Sequence, residues 1–153
     1  MTMKGETLIE VLIALSVAVI VITSVSFLSV SSLNNSAFVK DQNQASKYTQ
    51  EGLEVARSIR NSNYTGFAAY TGTYCLAKDQ TALGSAVASC QVPNIDDQYI
   101  RSVTITQNNG CGVNFANILV TVSWTSTKCS DGTYCHSSKL NSCFSTTSPV
   151  AGP

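Results

Sequence analysis

The sequence predicts an α+β fold, in which one long N-terminal helix protrudes with its first half and packs with its second half on a small antiparallel β-sheet. Residues 11–30 carry no charge and are mostly Val, Ile, Leu, Ala and Ser. A helical apolar pattern continues over residues 43–59, and alternating strand patterns follow in the C-terminal half. An apolar stripe on a helix and an apolar face of a sheet are both removed from water when they pack together.

The uncharged run is a predicted membrane span, because about 20 apolar residues cross a bilayer as a helix. Hydrocarbon enforces the helix, since every backbone amide must find its partner within the segment. The sequence therefore divides into a leader (residues 1–5), a transmembrane and assembly helix (6–33), an amphipathic second half of that helix (34–61) and a β-rich globular region (62–153).

The second half of the helix carries an apolar stripe that needs a partner surface. Its members recur near i, i+3 and i+4: Ala45, Tyr48, Leu53, Ala56 and Ile59. One helix from Glu6 to about residue 60 would be on the order of 80 Å long. Gly52 costs about 1 kcal/mol relative to Ala in a helix interior, so it marks either a close approach to the partner or a tolerated weak spot.

Beyond the helix, residues 61–74 are rich in Asn, Ser, Gly and Tyr and are predicted to form a loop. Two strands are predicted over residues 99–106 and 118–125, with a weaker third over 140–146 and a frayed tail over 148–153. The alternation puts these side chains on the inner face of the sheet: Val103, Ile105, Ile118, Val120, Val122 and Trp124.

Charge is scarce and balanced, with nine Lys and Arg against nine Asp and Glu, while Ser, Thr and Asn number 21, 16 and 11. The surface is therefore hydroxyl- and amide-rich rather than ionic. No basic stripe is available to hold nucleic acid through counterion release, so no nucleic-acid partner is indicated.

Six cysteines all lie in the polar C-terminal half, which favours disulfides formed in an oxidising compartment over reduced, buried thiols. The turn signal Asp131-Gly132 lets Cys129 and Cys135 face each other across a hairpin. Cys75 and Cys90 bracket a loop whose closure would stabilise the fold by roughly 3 kcal/mol. Cys111 and Cys143 then remain for each other, although this connectivity is one of 15 that six cysteines allow.

A zinc site is an alternative use of the same region, with ligands Cys129, Cys135, His136 and Cys143. The spacing disfavours it, because structural zinc sites usually place paired ligands two to four residues apart. No metal or other cofactor is therefore predicted.

No arrangement of a nucleophile with a base is recognisable, so an enzyme is not predicted. His136 is the only histidine and is expected at the surface. Asp96 and Asp97 could touch a calcium ion, but a solvated turn explains them better.

The most informative residues stand directly before the apolar run: Lys4, Gly5, Glu6, Thr7, Leu8, Ile9, Glu10, Val11 and Leu12. An acid at the start of an otherwise uncharged membrane helix needs a functional reason, since burying it in the bilayer costs roughly 2.5 to 3.5 kcal/mol. A cut after Gly5 would create an α-amine on Glu6, one helical turn from Glu10 and within reach of a neighbouring subunit's Glu10.

This block resembles the cleavage signal of type IV pilins and pseudopilins, in which a short basic leader ends in Gly and precedes Thr-Leu-Ile-Glu and a long apolar helix. The resemblance implies that a prepilin peptidase cuts between Gly5 and Glu6 and that the new N-terminus is methylated, although most pilins carry Phe where this chain has Glu6. Thr7, Leu8, Ile9 and Glu10 match the family's assembly segment, in which the glutamate pairs with the amine of an adjacent subunit. Residues 50–63 resemble the end of the long helix in minor-pilin-like proteins.

The resemblance implies a structural subunit of an extracellular filament, held in the cytoplasmic membrane before assembly and exposed at the cell surface afterwards. Its partners would be prepilin peptidase and other pilin subunits. The helix lacks the proline that breaks it in many major pilins, which favours a minor subunit or a pseudopilin.

Alternatives are a pseudopilin of a secretion or DNA-uptake system, a filament-tip adhesin, a secreted enzyme, and a protein with an ordinary signal peptide cut near Ser26. A further alternative is a simple membrane anchor, in which Glu10 only complements the positive end of the helix dipole.

Overall fold

The computed structural model describes residues 6–108, 110–126, 128–130 and 133–147, and within them the α+β class is confirmed. The chain divides into two compact units, of which the first ends at Lys40 and the second begins at Asp41. The elements of the described residues are helices α1 (Glu6–Ser62) and α2 (Tyr64–Phe67) and strands β1 (Gly72–Cys75), β2 (Tyr99–Gln107), β3 (Phe115–Trp124) and β4 (His136–Ser145).

The four strands form one antiparallel sheet in the order β1-β2-β3-β4. Each strand pairs with its sequence neighbour, and the register aligns Val103 with Val120 and Val120 with Leu140. Because side chains alternate between the two faces, the register puts one apolar set on the inner face. The six side chains predicted to face inward are all buried: Val103, Ile105, Ile118, Val120, Val122 and Trp124.

The short and polar elements differ from the prediction. The segment 61–74, predicted as a loop, contains α2 and most of β1. The Asn63 side chain caps α2 by accepting a hydrogen bond from the Gly66 N–H at 2.8 Å. Strand β4 begins at His136, four residues before the predicted start, because its polar residues 136–139 are held by pairing with residues 121–124 of β3.

The helix stripe of the second unit packs into the core that the sheet provides. Ala45, Tyr48, Leu53 and Ala56 are buried, and Ile59 is partly buried against the same core. The stripe predicted from the i, i+3, i+4 pattern is therefore confirmed. Leu53 and Ala56 belong to one cluster with these residues of the sheet and loops: Phe67, Tyr74, Leu76, Leu83, Val103, Ile105, Ala116, Ile118, Val120 and Phe144.

Gly52 lies where the helix comes closest to the sheet. A Cβ atom at this position would stand 2.8 Å from Val120 Cγ1 and 3.2 Å from Arg101 Cδ. Real Cβ atoms essentially never approach a neighbour as closely as the first of these distances. Of the two explanations left open by the sequence, close approach to a partner surface is the correct one.

We expect Gly52→Ala to destabilise the fold. Alanine favours the helix by about 1 kcal/mol, but overpacking a filled core costs about 1–3 kcal/mol, so the net loss in free energy of unfolding should reach about 2 kcal/mol. Denaturant unfolding of the oxidised chain measures the loss. Gly84→Ala is the matched control, because nothing lies within 4 Å of the added methyl there. An equal effect of the two substitutions would contradict the close-approach explanation.

Candidate functional site

The candidate site is the first part of α1, and the described chain begins inside it. Glu6 and Thr7 belong to the helix, whereas Gly5, and with it the predicted scissile bond, lies outside the described residues. Leu8, Ile9 and Glu10 are exposed to solvent. The predicted assembly segment is thus helical from Glu6 onward.

The apolar side chains of α1 from Leu8 to Leu33 are exposed. Leu8 is 64% exposed, Ile20 is 63% exposed and Leu33 is 70% exposed. This part of α1 is long and apolar enough to cross a membrane, and none of its most apolar stretch is buried. An apolar surface of this extent in water indicates a membrane or protein partner.

Most hydroxyl groups of the apolar helix donate to carbonyls of the helix itself. Ser16 donates to the Ile13 carbonyl at 2.8 Å, and Ser24 donates to the Ile20 carbonyl at 2.7 Å. Other hydroxyls of the helix donate in the same way to a carbonyl three or four residues back: Thr23, Ser26, Ser29 and Ser36. Such internal bonds suit hydrocarbon, where an unpaired polar group costs several kcal/mol. The sequence alone does not predict these bonds.

Glu10 is the only charged residue between Leu8 and Val39. In the part of the chain that the structure describes, no Lys, Arg or His side chain forms an ion pair with it. A carboxylate in an apolar segment needs a cation if it is to enter a low-dielectric environment ionised. The arrangement therefore leaves Glu10 available to a cation supplied from outside the described residues.

Three disulfides join the six cysteines of the second unit: Cys75–Cys90, Cys111–Cys143 and Cys129–Cys135. These are the three pairs favoured by the sequence analysis. Of the four ligands of the zinc alternative, only Cys143 is set apart, by its bond to Cys111, whereas Cys129, Cys135 and His136 lie together. While Cys129 and Cys135 are bonded to each other, neither offers a thiolate to a metal.

Arg101 is a buried residue that sequence reasoning missed. Its side chain extends from β2 into the core and is 2% exposed. The guanidinium donates to the carbonyls of Leu76 at 3.0 Å, Tyr48 at 3.1 Å and Ala77 at 2.6 Å, and to the Glu51 carboxylate at 3.3 Å. Burial lowers the pKa of Arg101, and the Glu51 carboxylate opposes that shift. One side chain thus ties α1, β2 and the loop after β1 together.

A second polar cluster fixes the turn before β2. The Asp96 carboxylate accepts from the Tyr48 hydroxyl and from the Lys78 ammonium at 2.8 Å. These two donors, with Lys78 the stronger, lower the pKa of Asp96. The Asp96 carboxylate is therefore engaged within the protein, as a structural turn requires, and the calcium alternative gains no support from it.

Tyr99 belongs to the same cluster. Its hydroxyl donates to Asp41 Oδ1 at 3.4 Å, and the centroids of the Tyr99 and Tyr48 rings lie 5.3 Å apart. Burial, assisted by the Asp41 carboxylate, raises the pKa of Tyr99 to about 12. Tyr99 therefore stays protonated at physiological pH and keeps its hydrogen bond.

These observations separate two kinds of residue. The polar clusters around Arg101 and Asp96 hold the second unit together, whereas Glu10 and the apolar residues around it have no internal partner among the described residues. The N-terminal helix is therefore the part of this chain that is built for contact with something else. No family model, curated protein or solved structure matches the chain.

Proposed function

We propose that this chain is a structural subunit, and a minor one, of a type IV pilus-like extracellular filament. Prepilin peptidase would release it from its leader at Gly5, and the N-terminal helix would then carry it into the filament. The observation that carries the proposal is an exposed helix, apolar on all sides, with Glu10 near its start and no cation paired with that carboxylate among the described residues. The resemblance of residues 4–12 to the pilin signal supports the same function.

The apolar helix would have two environments in succession. In the membrane, lipid would cover the side chains from Leu8 to Leu33, and most of their hydroxyl groups bond to the helix itself. In the filament, the same surface would pack against the helices of other subunits. Lipid and helix neighbours are equally apolar, so van der Waals packing and the few polar contacts must favour assembly.

Glu10 would supply the polar contact that sets the position of each subunit. After cleavage, the α-amine of Glu6 in one subunit would meet the Glu10 carboxylate of the next. In a low-dielectric filament core, a subunit in the wrong position leaves both charges unpaired, which costs several kcal/mol. The ion pair would therefore determine the register between subunits more than the strength of their association.

The second unit would face the outside of the filament. Its loops are held by three disulfides, which persist in an oxidising extracellular environment. Disulfides and the buried Arg101 cluster together suit a small domain that has limited core to stabilise it. We assign this unit a structural rather than a catalytic role.

Processing is tested by intact-mass measurement. Coexpression with a prepilin peptidase should give a chain that lacks residues 1–5, and Gly5→Leu should keep them, because a branched side chain obstructs the protease where glycine does not. Cells that carry labelled protein should then show the label in filaments for the wild type and only in the membrane for Gly5→Leu. A mature chain that keeps Met1, or one cut near Ser26, would contradict the proposal.

A further inference from the structure

The connection between β3 and β4 and the first residue of β4 bring three possible metal ligands together. One ligand atom each of Cys129, Cys135 and His136 lies within 4.8 Å of the other two. The two sulfurs are at present bonded to each other. This cluster lies outside the N-terminal helix, and nothing in the proposed filament function uses it.

The backbone around the two cysteines already has the spacing that a shared metal requires. Their Cα atoms lie 5.6 Å apart. Two thiolates bound tetrahedrally to Zn²⁺ at about 2.3 Å are about 3.8 Å from each other, so the sulfurs need to separate by only about 2 Å after the disulfide opens. Side-chain rotation alone can supply such a movement.

The imidazole is held in place from two sides. Ser126 Oγ lies 2.9 Å from His136 Nε2, and the Trp124 ring centroid lies 5.5 Å from the imidazole centroid. His136 is also paired with Trp124 in the β3–β4 register, which fixes its backbone. Binding through Nδ1 would keep the Ser126 contact, and such an outer contact orients a metal-bound histidine.

This disulfide is the one that reduction should open first. Its cysteines are six residues apart in sequence, against 15 for Cys75–Cys90 and 32 for Cys111–Cys143. In the chain-entropy model a shorter loop gives less stabilisation. Cys135 is also exposed, as is Cys143, whereas both cysteines of Cys75–Cys90 are half-buried. A thiolate can therefore reach the Cys135 sulfur, and loop length distinguishes this bond from Cys111–Cys143.

We propose that reduction of Cys129–Cys135 converts this loop into a binding site for a thiophilic divalent metal such as Zn²⁺. A dithiol reductant supplies two electrons and two protons, the S–S bond breaks to give two thiols, and the reductant becomes its own disulfide. Metal binding then releases the two thiol protons and adds the His136 imidazole, with water in the fourth position. Disulfide and metal are therefore alternative states of the same loop.

Cobalt binding tests the proposal, because Co²⁺ takes zinc sites and its thiolate complexes absorb light. The full-length chain in mild detergent is reduced with a dithiol under limiting conditions, freed of reductant under inert gas and titrated with Co²⁺. Alkylation and peptide mapping confirm that only Cys129 and Cys135 have been reduced. We expect one Co²⁺ per reduced chain, with thiolate-to-cobalt absorption that Zn²⁺ abolishes, and no such absorption for the oxidised chain.

Variants separate a built site from adventitious binding. Replacing both Cys129 and Cys135 with Ser should abolish the absorption, and His136→Gln should weaken cobalt affinity at least about tenfold. A chain with Cys75→Ser and Cys90→Ser is the matched control and should bind cobalt after the same reduction. Unchanged affinity in His136→Gln, or equal binding by the oxidised chain, would overturn the proposal. Both readouts are independent of processing and filament assembly.

Discussion

Arg101→Met should lower the free energy of unfolding by about 3–5 kcal/mol. Methionine keeps much of the apolar volume but donates no hydrogen bond. The carbonyls of Leu76 and Ala77 would lose the guanidinium, and a buried acceptor without a partner costs about 1–3 kcal/mol. The Tyr48 carbonyl and the Glu51 carboxylate would lose a donor as well, which loosens α1 from the sheet.

Denaturant unfolding of the oxidised full-length chain in mild detergent measures this loss. Lys78→Met is the matched control, because it removes an exposed cation from Asp96, and a surface ion pair contributes far less to stability than the buried Arg101 contacts. Arg101→Lys should fall between them, since an ammonium cannot reproduce the planar set of donors. If Arg101→Met costs no more than Lys78→Met, Arg101 does not hold the three elements together.

The alternation of side chains along β2 predicts that Arg101 faces inward, but the sequence does not show which groups its guanidinium bonds. Val103 and Ile105 were predicted to face inward, and Arg101 has the same parity. A charge on an inner face is acceptable only when it has partners. Here those partners are mainly the backbone carbonyls of residues 48, 76 and 77. Every residue has a backbone carbonyl, so the sequence does not identify the ones that accept from Arg101.

Elements with a clear apolar period were predicted well, whereas short or polar elements were not. Helix α1 and strands β2 and β3 are long and have clear apolar periods, so local pattern defines them. Helix α2, strand β1 and the start of β4 are short or polar. Their structure depends on a cap at Asn63 and on pairing with a neighbouring strand, which are contacts that local composition does not reveal.

Cys129, Cys135 and His136 show that the spacing of ligands in the sequence does not by itself identify a possible metal site. A gap of five residues between the cysteines disfavoured zinc, because typical zinc ligands pair at shorter spacing. The cysteines face each other across the β3–β4 connection, however, and the strand register brings His136 beside them. Distance in the fold rather than spacing in the sequence therefore decides which residues can share a metal.

Glu10→Gln should reduce incorporation into filaments by at least about a hundredfold. Removing one partner of a buried ion pair costs about 3–5 kcal/mol, and each 1.4 kcal/mol is a factor of ten. Membrane insertion should be unchanged or improved, because a neutral amide enters hydrocarbon more readily than a carboxylate. Cleavage should also proceed, so the mature chain should accumulate in the membrane fraction.

Shearing cells and immunoblotting the filament and membrane fractions distinguishes these effects. Glu54→Gln is the matched control, since Glu54 is exposed in the second unit and pairs with Arg57 at the surface. It should assemble like the wild type. Equal incorporation of Glu10→Gln and Glu54→Gln would mean that the Glu10 carboxylate only complements the helix dipole, an effect of about 0.3–1 kcal/mol that is too small to control assembly. The size of the loss therefore separates an assembly contact from a simple membrane anchor.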